Sequence, residues 1–303
     1  MVNNEKMGKL EKLLKKQSSN YSIIKKEIGI TKKDLPSYLN KLKERGILKT
    51  YVDNDYKTNF YIGSDNNITK HTLNLNDGEY LMGVCSDEHI GDKGYNADAH
   101  NKYYDILDDR GIELVLNSGD LITGVSVYRN QHVDLNIHTK LEQAEWYIDN
   151  VPELSHGETL IIDGNHDLKN LENSFSPGYM IGDKKRNYKY LGQICADVEL
   201  ASGLVARLIH LRGNAYTIGY TLQKYIRKLN PAEMPNIILK GHTHDFLYAE
   251  IQNIHCLHTG TFQHGISNFA KELGFQNQIG AWIVNYEISD GKLSKFIPEM
   301  LKF

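Results

Sequence analysis

The chain has 303 residues, 40% of them hydrophobic and 24% charged, with a formal net charge of −3. That length buries a sizeable core and accommodates one large domain beside a small one. No apolar run approaches the roughly 20 residues that span a bilayer, and the basic start MVNNEKMGKLEKLLKK lacks the apolar stretch of a secretory signal. Cys85, Cys195 and Cys256 are too scattered for a metal knuckle or a disulfide set, which predicts a reducing, cytoplasmic setting and small buried side chains. The charge is divided unevenly. Residues 1–70 carry 15 Lys/Arg against 8 Asp/Glu, a net +7, and the remainder carries 20 against 30, a net −10. A basic head on an acidic body predicts an anionic partner for the head.

In chain order, residues 4–17 place Met7, Leu10, Leu13 and Leu14 at helical spacing. Ser19 or Asn20 caps a second short helix that stops at Gly29, and a third starts near Thr31 or Asp34 and ends at Gly46. Pro36 belongs in the first turn of that helix, because proline is excluded from helix interiors. The stretches ILKTYV and TNFYIG flank Asp53-Asn54-Asp55, a hairpin signal. Residues 1–63 therefore resemble a winged helix-turn-helix domain. Residues 64–78 are polar and aperiodic and read as a linker, which leaves 79–303 as the second domain.

From Glu79 onward strands and helices alternate. YLMGVCS, ELVLNS, TLIIDG, VARLIHL, NIILKG, IHCLHTG and AWIVNYEI are strand candidates, and 98–110, 137–150 and 216–229 are helix candidates. Short motifs rich in metal donors stand at the ends of these strands: Asp87-Glu88-His89, Gly119-Asp120, Gly164-Asn165-His166-Asp167, His210 and Gly241-His242-Thr243-His244. Strand alternation would put Asp87 and His89 on one face. His242 and His244 share a face if the chain stays extended, whereas a turn would send them to different ions. Glycine before Asp120 permits a tight turn beside a crowded cluster. Asp-x-His alone usually caps a turn, Gly-Asp is an ordinary turn and a lone histidine usually fills a core, whereas Gly-Asn-His-Asp and Gly-His-Thr-His are sharper signals. The weight lies in five motifs following in one order.

That order resembles the calcineurin-like metallophosphoesterases. The resemblance implies an α/β fold, a two-sheet α-β-β-α sandwich, preceded here by the small winged-helix-like domain. It implies that Asp87, His89 and His244 hold one metal ion and that Asp120 bridges to a second completed by Asn165, His210 and His242. It further implies that His166, oriented by Asp167, sits beside the scissile phosphate, steadies charge and protonates the leaving oxygen. Two cations about 3.5–4 Å apart would clamp phosphate oxygens and turn a bridging water into hydroxide near neutral pH. Mixed His/Asp/Asn donors without thiolate suit Mn²⁺ best, with Fe²⁺ or Zn²⁺ also acceptable. The chain departs from the common pattern where Leu121-Ile122-Thr123-Gly124 follow Asp120: many members place Asp, Asn or His there. It departs again where Leu211, not glycine, follows His210.

The segment 213–229 sets Tyr216, Tyr220, Lys224 and Arg227 on one helical face, but the plainer reading is an amphipathic helix with Leu222, Tyr225, Ile226 and Leu229 inside. The loop FQHGISNFAKELGF could cover the site. In the head, Lys32, Lys33, Tyr38, Asn40, Lys41, Lys43 and Arg45 cluster around the third helix, the element that enters a major groove in winged helices. DNA binding competes there with self-association (a homodimer), a protein partner, or plain scaffolding. The expected function is a dinuclear-metal phosphodiesterase or nuclease acting on DNA that the head delivers; the competing expectation is a phosphodiesterase of a small cyclic or linear nucleotide. A DNA-binding regulator with a decayed site is set aside because every donor position is filled.

Overall fold

A computed structural model describes all residues except 1, 17–18, 45–47, 53–57, 63–67, 170–175, 214–218, 230–232 and 266–276. The turn residues Asp53-Asn54-Asp55, the helix stop at Arg45-Gly46, Tyr216 and most of the loop 262–275 therefore fall outside the described residues.

The N-terminal unit contains α1 (Asn4–Lys16), α2 (Tyr21–Ile28) and α3 (Leu35–Glu44), then the antiparallel pair β1 (Leu48–Val52) and β2 (Thr58–Ile62). Asn20 caps α2 by accepting from the Ile23 N–H at 3.3 Å. Gly29 ends it in the left-handed region at φ 70°, donating its N–H to Lys25. Leu10, Leu14, Ile24, Ile30 and Leu42, from all three helices and the turn after α2, form a core of their own.

The second unit begins earlier than the sequence reading placed it. Within the expected linker 64–78, Thr69–Thr72 form β3, which adds a parallel strand to the edge of a sheet by pairing with residues 196–199. Leu73 and Leu75 then donate backbone bonds to Glu199 and Leu200 and pack on the main core. The alternation Leu73-Asn74-Leu75 is a strand-like pattern too short to stand out among polar neighbours.

The remaining elements are β4 (Gly78–Cys85), α4 (Ala97–Asp109), β5 (Leu114–Asn117), a 3-10 turn at Gln131–Val133, α5 (Lys140–Asn150), β6 (Glu158–Asp163), α6 (Pro177–Lys184), β7 (Tyr188–Gln193), β8 (Cys195–Ala201), β9 (Leu204–Ile209), α7 (Tyr220–Ile226), β10 (Ile237–Lys240), β11 (Phe246–Ile251), β12 (Ile254–Thr259), β13 (Gly280–Ser289) and β14 (Lys292–Lys302). They build two six-stranded sheets, ordered β11-β12-β10-β9-β8-β3 and β14-β13-β4-β5-β6-β7.

Alternation along the strands assigns the layers. Met82, Val84, Leu116, Leu160 and Ile162 of one sheet meet Val198, Leu208, Leu239 and Leu257 of the other in the inner core. The opposite faces bury Cys85, Val115 and Ile283 under α4, Ile161 and Tyr188 under α5 and α6, and Ile209 and Ile238 under α7. The product is an α-β-β-α sandwich. Helix α7 buries Leu222 and Ile226 and leaves Tyr220 half exposed, as an amphipathic helix does.

Strands β4, β5 and β6 run parallel in one sheet, and β9, β10 and β12 run parallel in the other. Their C-terminal ends carry the motif loops.

Candidate metal centre

Seven side chains named from the motifs meet at those ends. Three groups of His and Asp atoms lie within 4.8 Å of one another: Asp87, His89 and His244; Asp120, His210 and His242; and, between them, His89, Asp120 and His166. Asp87 Oδ1 is 3.2 Å from His244 Nε2 and 3.7 Å from His89 Nε2, while the two imidazole Nε2 atoms are 3.0 Å apart. Asp120 Oδ2 is 3.0 Å from His210 Nε2 and 3.9 Å from His89 Nε2, so it faces both outer groups. His242 and His244 join different groups, because the chain turns between them.

The backbone achieves this convergence by strain, where strand alternation was expected. Asp87, His89, Asp120, His242 and His244 all adopt left-handed φ angles of 57°, 52°, 56°, 86° and 54°. Each such non-glycine residue costs about 1–3 kcal/mol. The loops are locked by hydrogen bonds: Asp87 N–H to Gly119 O at 2.8 Å, His89 N–H to Asp120 O at 3.2 Å, and His242 N–H to the Asp87 carboxylate at 2.9 Å. Gly119, at φ 89°, has no room for a side chain, since a Cβ would lie 2.7 Å from the Gly164 nitrogen. Gly241 is equally tight against His210 Nδ1, at 2.7 Å. These glycines let three donor loops pack against one another.

Second contacts aim the donors. His210 Nδ1 donates to Ser118 O at 2.6 Å, which turns Nε2 toward Asp120. Ser86 hydrogen-bonds both Asp87 and Thr259, and Thr261 Oγ1 donates to the Asp87 carbonyl at 2.6 Å. Electrostatics follow from this crowding. Burial opposes ionisation of Asp87, but His210 and His244 outweigh it and hold the carboxyl well below the usual range. Burial would depress His210 too, yet Asp120 and Asp87 carry it up to about 9. Burial lowers His242 to about 3, with the neighbouring His210 adding to the shift, and lowers His166 to about 4. In the metal-free cluster His210 thus shares a proton with the carboxylates while His242 stays neutral, and a bound cation would displace that proton to gain the His210 Nε2 lone pair.

The donor set fits such cations on a further count. Asn165 Oδ1 is buried without a hydrogen-bond partner. A buried unpaired acceptor is costly, and a cation would satisfy it. Imidazole, carboxylate and amide oxygen without thiolate agree with a hard or borderline metal.

His166 and Asp167 behave differently from the donors. His166 is partly open, with 18% of its side chain exposed, and its Nε2 lies 4.0 Å from Asp120 Oδ2. Its Nδ1 bonds to the Thr123 carbonyl at 2.8 Å, so Asp167 does not orient the ring. The buried Asp167 carboxylate instead accepts three backbone N–H groups, from Leu121 at 3.2 Å, Ile122 at 3.0 Å and Gly164 at 2.7 Å. It ties the loop carrying Asp120 to the loop carrying His166. Burial and the neighbouring Asp163 and Asp120 push its carboxyl up to about 8.

The other histidines stay apart from the cluster. His100 stacks on Phe262 at 4.3 Å, His258 bonds Asp245 at 2.8 Å, His255 stacks on Phe296 at 4.4 Å, and His71 lies on the edge strand β3. Sequence patterns missed Thr123, whose carbonyl meets His166, and Gln131, Gln143 and Lys140, which hold the backbone at Thr123, Gly124 and Asp167. Lys140 Nζ donates to the Asp167 carbonyl at 2.5 Å, and burial draws its ammonium down to about 8. A buried glutamine in a helix or loop carries no motif that would reveal it.

A sandwich with clustered His and Asp donors at the carboxyl ends of its strands defines a metal-dependent phosphoester hydrolase. A profile described as the calcineurin-like phosphoesterase superfamily domain matches residues 81–270, and the chain belongs to that superfamily. Among solved structures, an archaeal phosphodiesterase is similar at 15% identity and TM-score 0.42, covering 73% of this chain and 99% of its own. A predicted phosphoesterase from Streptococcus pneumoniae TIGR4 is similar at 17% identity and TM-score 0.36, covering 74% and 90%. Zinc-bound Vps29 from Entamoeba histolytica is similar at 16% and 0.37, covering 73% and 98%. The DNA polymerase II small subunit of Halobacterium salinarum is 32% identical over 92 residues, 29% of this chain; the match spans 18% of that relative's length. No described helix is long and apolar enough to cross a membrane.

Proposed function

We propose that this chain is a dinuclear-metal phosphodiesterase that cleaves DNA. Asp87, His89 and His244 would hold one cation and Asn165, His210 and His242 the other, with Asp120 placed to serve both. Mn²⁺ is the preferred metal, with Fe²⁺ or Zn²⁺ also accepted by these donors. Such cations supply charge neutralisation at the phosphoryl oxygens and activation of water. The observation that carries the reading is the position of Asp120, whose Oδ2 faces His210 at 3.0 Å and His89 at 3.9 Å.

The chain's own residues do the rest. His166 stands on the open side of the cluster, with Nδ1 engaged by the Thr123 carbonyl and Nε2 open to take up a proton from water as an anionic phosphodiester approaches and pass it to the leaving oxygen. Asp167 acts through the backbone, keeping the Asp120 and His166 loops in register. Lys140 steadies the same loop from the far side of Asp167.

The choice of DNA rests on the N-terminal unit, residues 1–63, read as a winged helix-turn-helix domain. Its three helices and hairpin follow the order of that fold. Helix α3 buries Leu35, Tyr38, Leu39 and Leu42 and turns Ser37, Asn40 and Lys41 outward, next to exposed Lys32 and Lys33. Lys contacts to phosphate give sequence-independent, salt-dependent affinity. The partial likeness to a DNA polymerase subunit supports the same partner class.

The test is Mn²⁺-dependent hydrolysis of single- and double-stranded DNA by the full chain, by His166→Ala, and by a Lys32→Glu/Lys33→Glu/Lys41→Glu variant. The proposal expects no cleavage by His166→Ala. It expects the triple variant to raise KM on DNA, with little change on a small aryl phosphodiester. Intact DNA alongside Mn²⁺-dependent hydrolysis of the aryl ester would remove DNA as substrate and point to small nucleotides.

A further inference from the structure

Asp120 is followed by Leu121-Ile122-Thr123-Gly124, where many family members carry Asp, Asn or His a few residues on, and here the Thr123 backbone carbonyl meets His166. Thr123 O receives two donors at once: His166 Nδ1 at 2.8 Å and Gln131 Nε2 at 2.9 Å. A carbonyl has two lone pairs and accommodates both. Gln131 is 1% exposed, and its own Oε1 accepts the Val127 N–H at 2.7 Å, so the amide cannot turn over without losing a bond at each end. The next residue is gripped in the same way. Gly124 donates its N–H to Gln143 Oε1 at 2.9 Å, and its carbonyl takes Gln143 Nε2 at 3.2 Å. Gly124 sits at φ 67°, and a Cβ there would lie 2.6 Å from His166 O. The backbone at 123–124 is thus wedged between the histidine it serves and two buried glutamines.

From this geometry we infer that Gln131 is a positioning residue for the proton donor, fixing the Thr123 carbonyl that selects the His166 tautomer and aims its Nε2 at the leaving oxygen. A carbonyl only accepts, so it keeps the hydrogen on Nδ1 whether or not Nε2 is protonated. Nε2 is then the nitrogen that exchanges the proton with substrate. Without Gln131, the carbonyl keeps only the histidine as partner and is free to swing with the 125–130 loop. The inference rests on the reading of His166 as donor to the leaving group.

Proton donation matters most when the leaving oxygen is a poor leaving group, and this separates positioning from general damage. The experiment compares two substrates that share a nucleotide: thymidylyl-thymidine, which expels an alkoxide, and the p-nitrophenyl ester of thymidine 5′-phosphate, which expels a stabilised phenolate. His166→Ala is expected to lose about 10²–10⁴-fold in kcat on the dinucleotide and far less on the aryl ester. Gln131→Met is expected to lose about 10–100-fold on the dinucleotide and under about threefold on the aryl ester, with KM and metal content unchanged. Gln131→Glu keeps an acceptor for Val127 but loses the amide donor, and is expected to follow Gln131→Met.

A second readout does not use turnover. Nitrogen-15 shifts of His166 in the Zn²⁺-loaded protein are expected to show the Nδ1–H form in wild type and a mixture of tautomers in Gln131→Met. If both substrates slow equally, or Gln131→Glu behaves as wild type while Gln131→Met fails, Gln131 only braces the loop and the inference is overturned. An unchanged tautomer in Gln131→Met overturns it as well. If His166→Ala itself shows no dependence on leaving group, the donor reading falls and takes this inference with it; asymmetry in His166→Ala without asymmetry in Gln131→Met sinks the positioning role alone.

Discussion

Asp120→Asn is the sharpest test of a shared donor. The substitution preserves shape and keeps Oδ1 as acceptor for the His166 N–H at 2.7 Å. It replaces the anionic Oδ2, the atom that faces His210 at 3.0 Å and His89 at 3.9 Å, with an amide group that offers no charge. The wild type should bind two cations, and a ligand at 100 times its dissociation constant stabilises the fold by about 2.7 kcal/mol per site. Two sites give about 5 kcal/mol, and a domain of this size gains about 2–4 °C per kcal/mol, so saturating Mn²⁺ should raise Tm by about 10–20 °C. In Asp120→Asn the Asp87, His89 and His244 group stays intact, and about half of that shift should survive. The assay is thermal unfolding across a Mn²⁺ titration, with bound metal counted by mass spectrometry. A variant that keeps two ions and the full shift would refute the bridging role. A wild type whose Tm ignores divalent cations would refute the metal centre altogether.

Asp167→Ala leaves the buried N–H groups of Leu121, Ile122 and Gly164 unpaired at about 1–3 kcal/mol each, so urea unfolding should show a loss of several kcal/mol; Asp167→Asn, which retains one acceptor oxygen, should lose less than half as much. Leu208→Ala opens a cavity between the two sheets, where Leu208 is fully buried, and should cost about 2–5 kcal/mol in urea with an unchanged slope and unchanged metal stoichiometry. The Arg110 guanidinium hydrogen-bonds Glu299 at 2.5 and 3.0 Å and holds its carboxyl below the usual value of 4.5. The stability from that pair is present above the unfolded pKa and fades as pH falls through the lower folded one. Solvent screening keeps it under about 1 kcal/mol, so Glu299→Gln should flatten only the acid end of a Tm-against-pH curve below about pH 4.5.

The strands visible in the sequence are those buried on both faces. ELVLNS, TLIIDG, NIILKG and IHCLHTG are continuous apolar runs because helices cover one side and the second sheet the other. The strands that escaped notice were β3, β7, β8, β11 and β14. YKYLGQ, CADVELA, FLYAEI and KLSKFIPEMLK alternate apolar and polar residues, and four of the five lie at sheet edges. Helix α6 was hidden by its composition, since PGYMIGDK opens on proline and contains two glycines. The donor residues were legible because metal chemistry restricts residue type and strand ends restrict position. Their geometry was not, because the left-handed turns at Asp87 and His89 go with backbone bonds to the distant Gly119 and Asp120 carbonyls, which no local pattern encodes. The Thr123 carbonyl is the extreme case, as every residue owns a carbonyl.

Strand β4, which leads into the first donor loop, lies between β5 and β13, with Val84 opposite Trp282. A growing polypeptide thus cannot close this sheet until nearly all of it has left the ribosome. The described core of the N-terminal unit lies within residues 2–48, all made early. Contacts as distant as those between β4 and β13 are slow to form, so the loop after β4 is positioned late. A site for divalent cations would therefore be completed only near the end of synthesis.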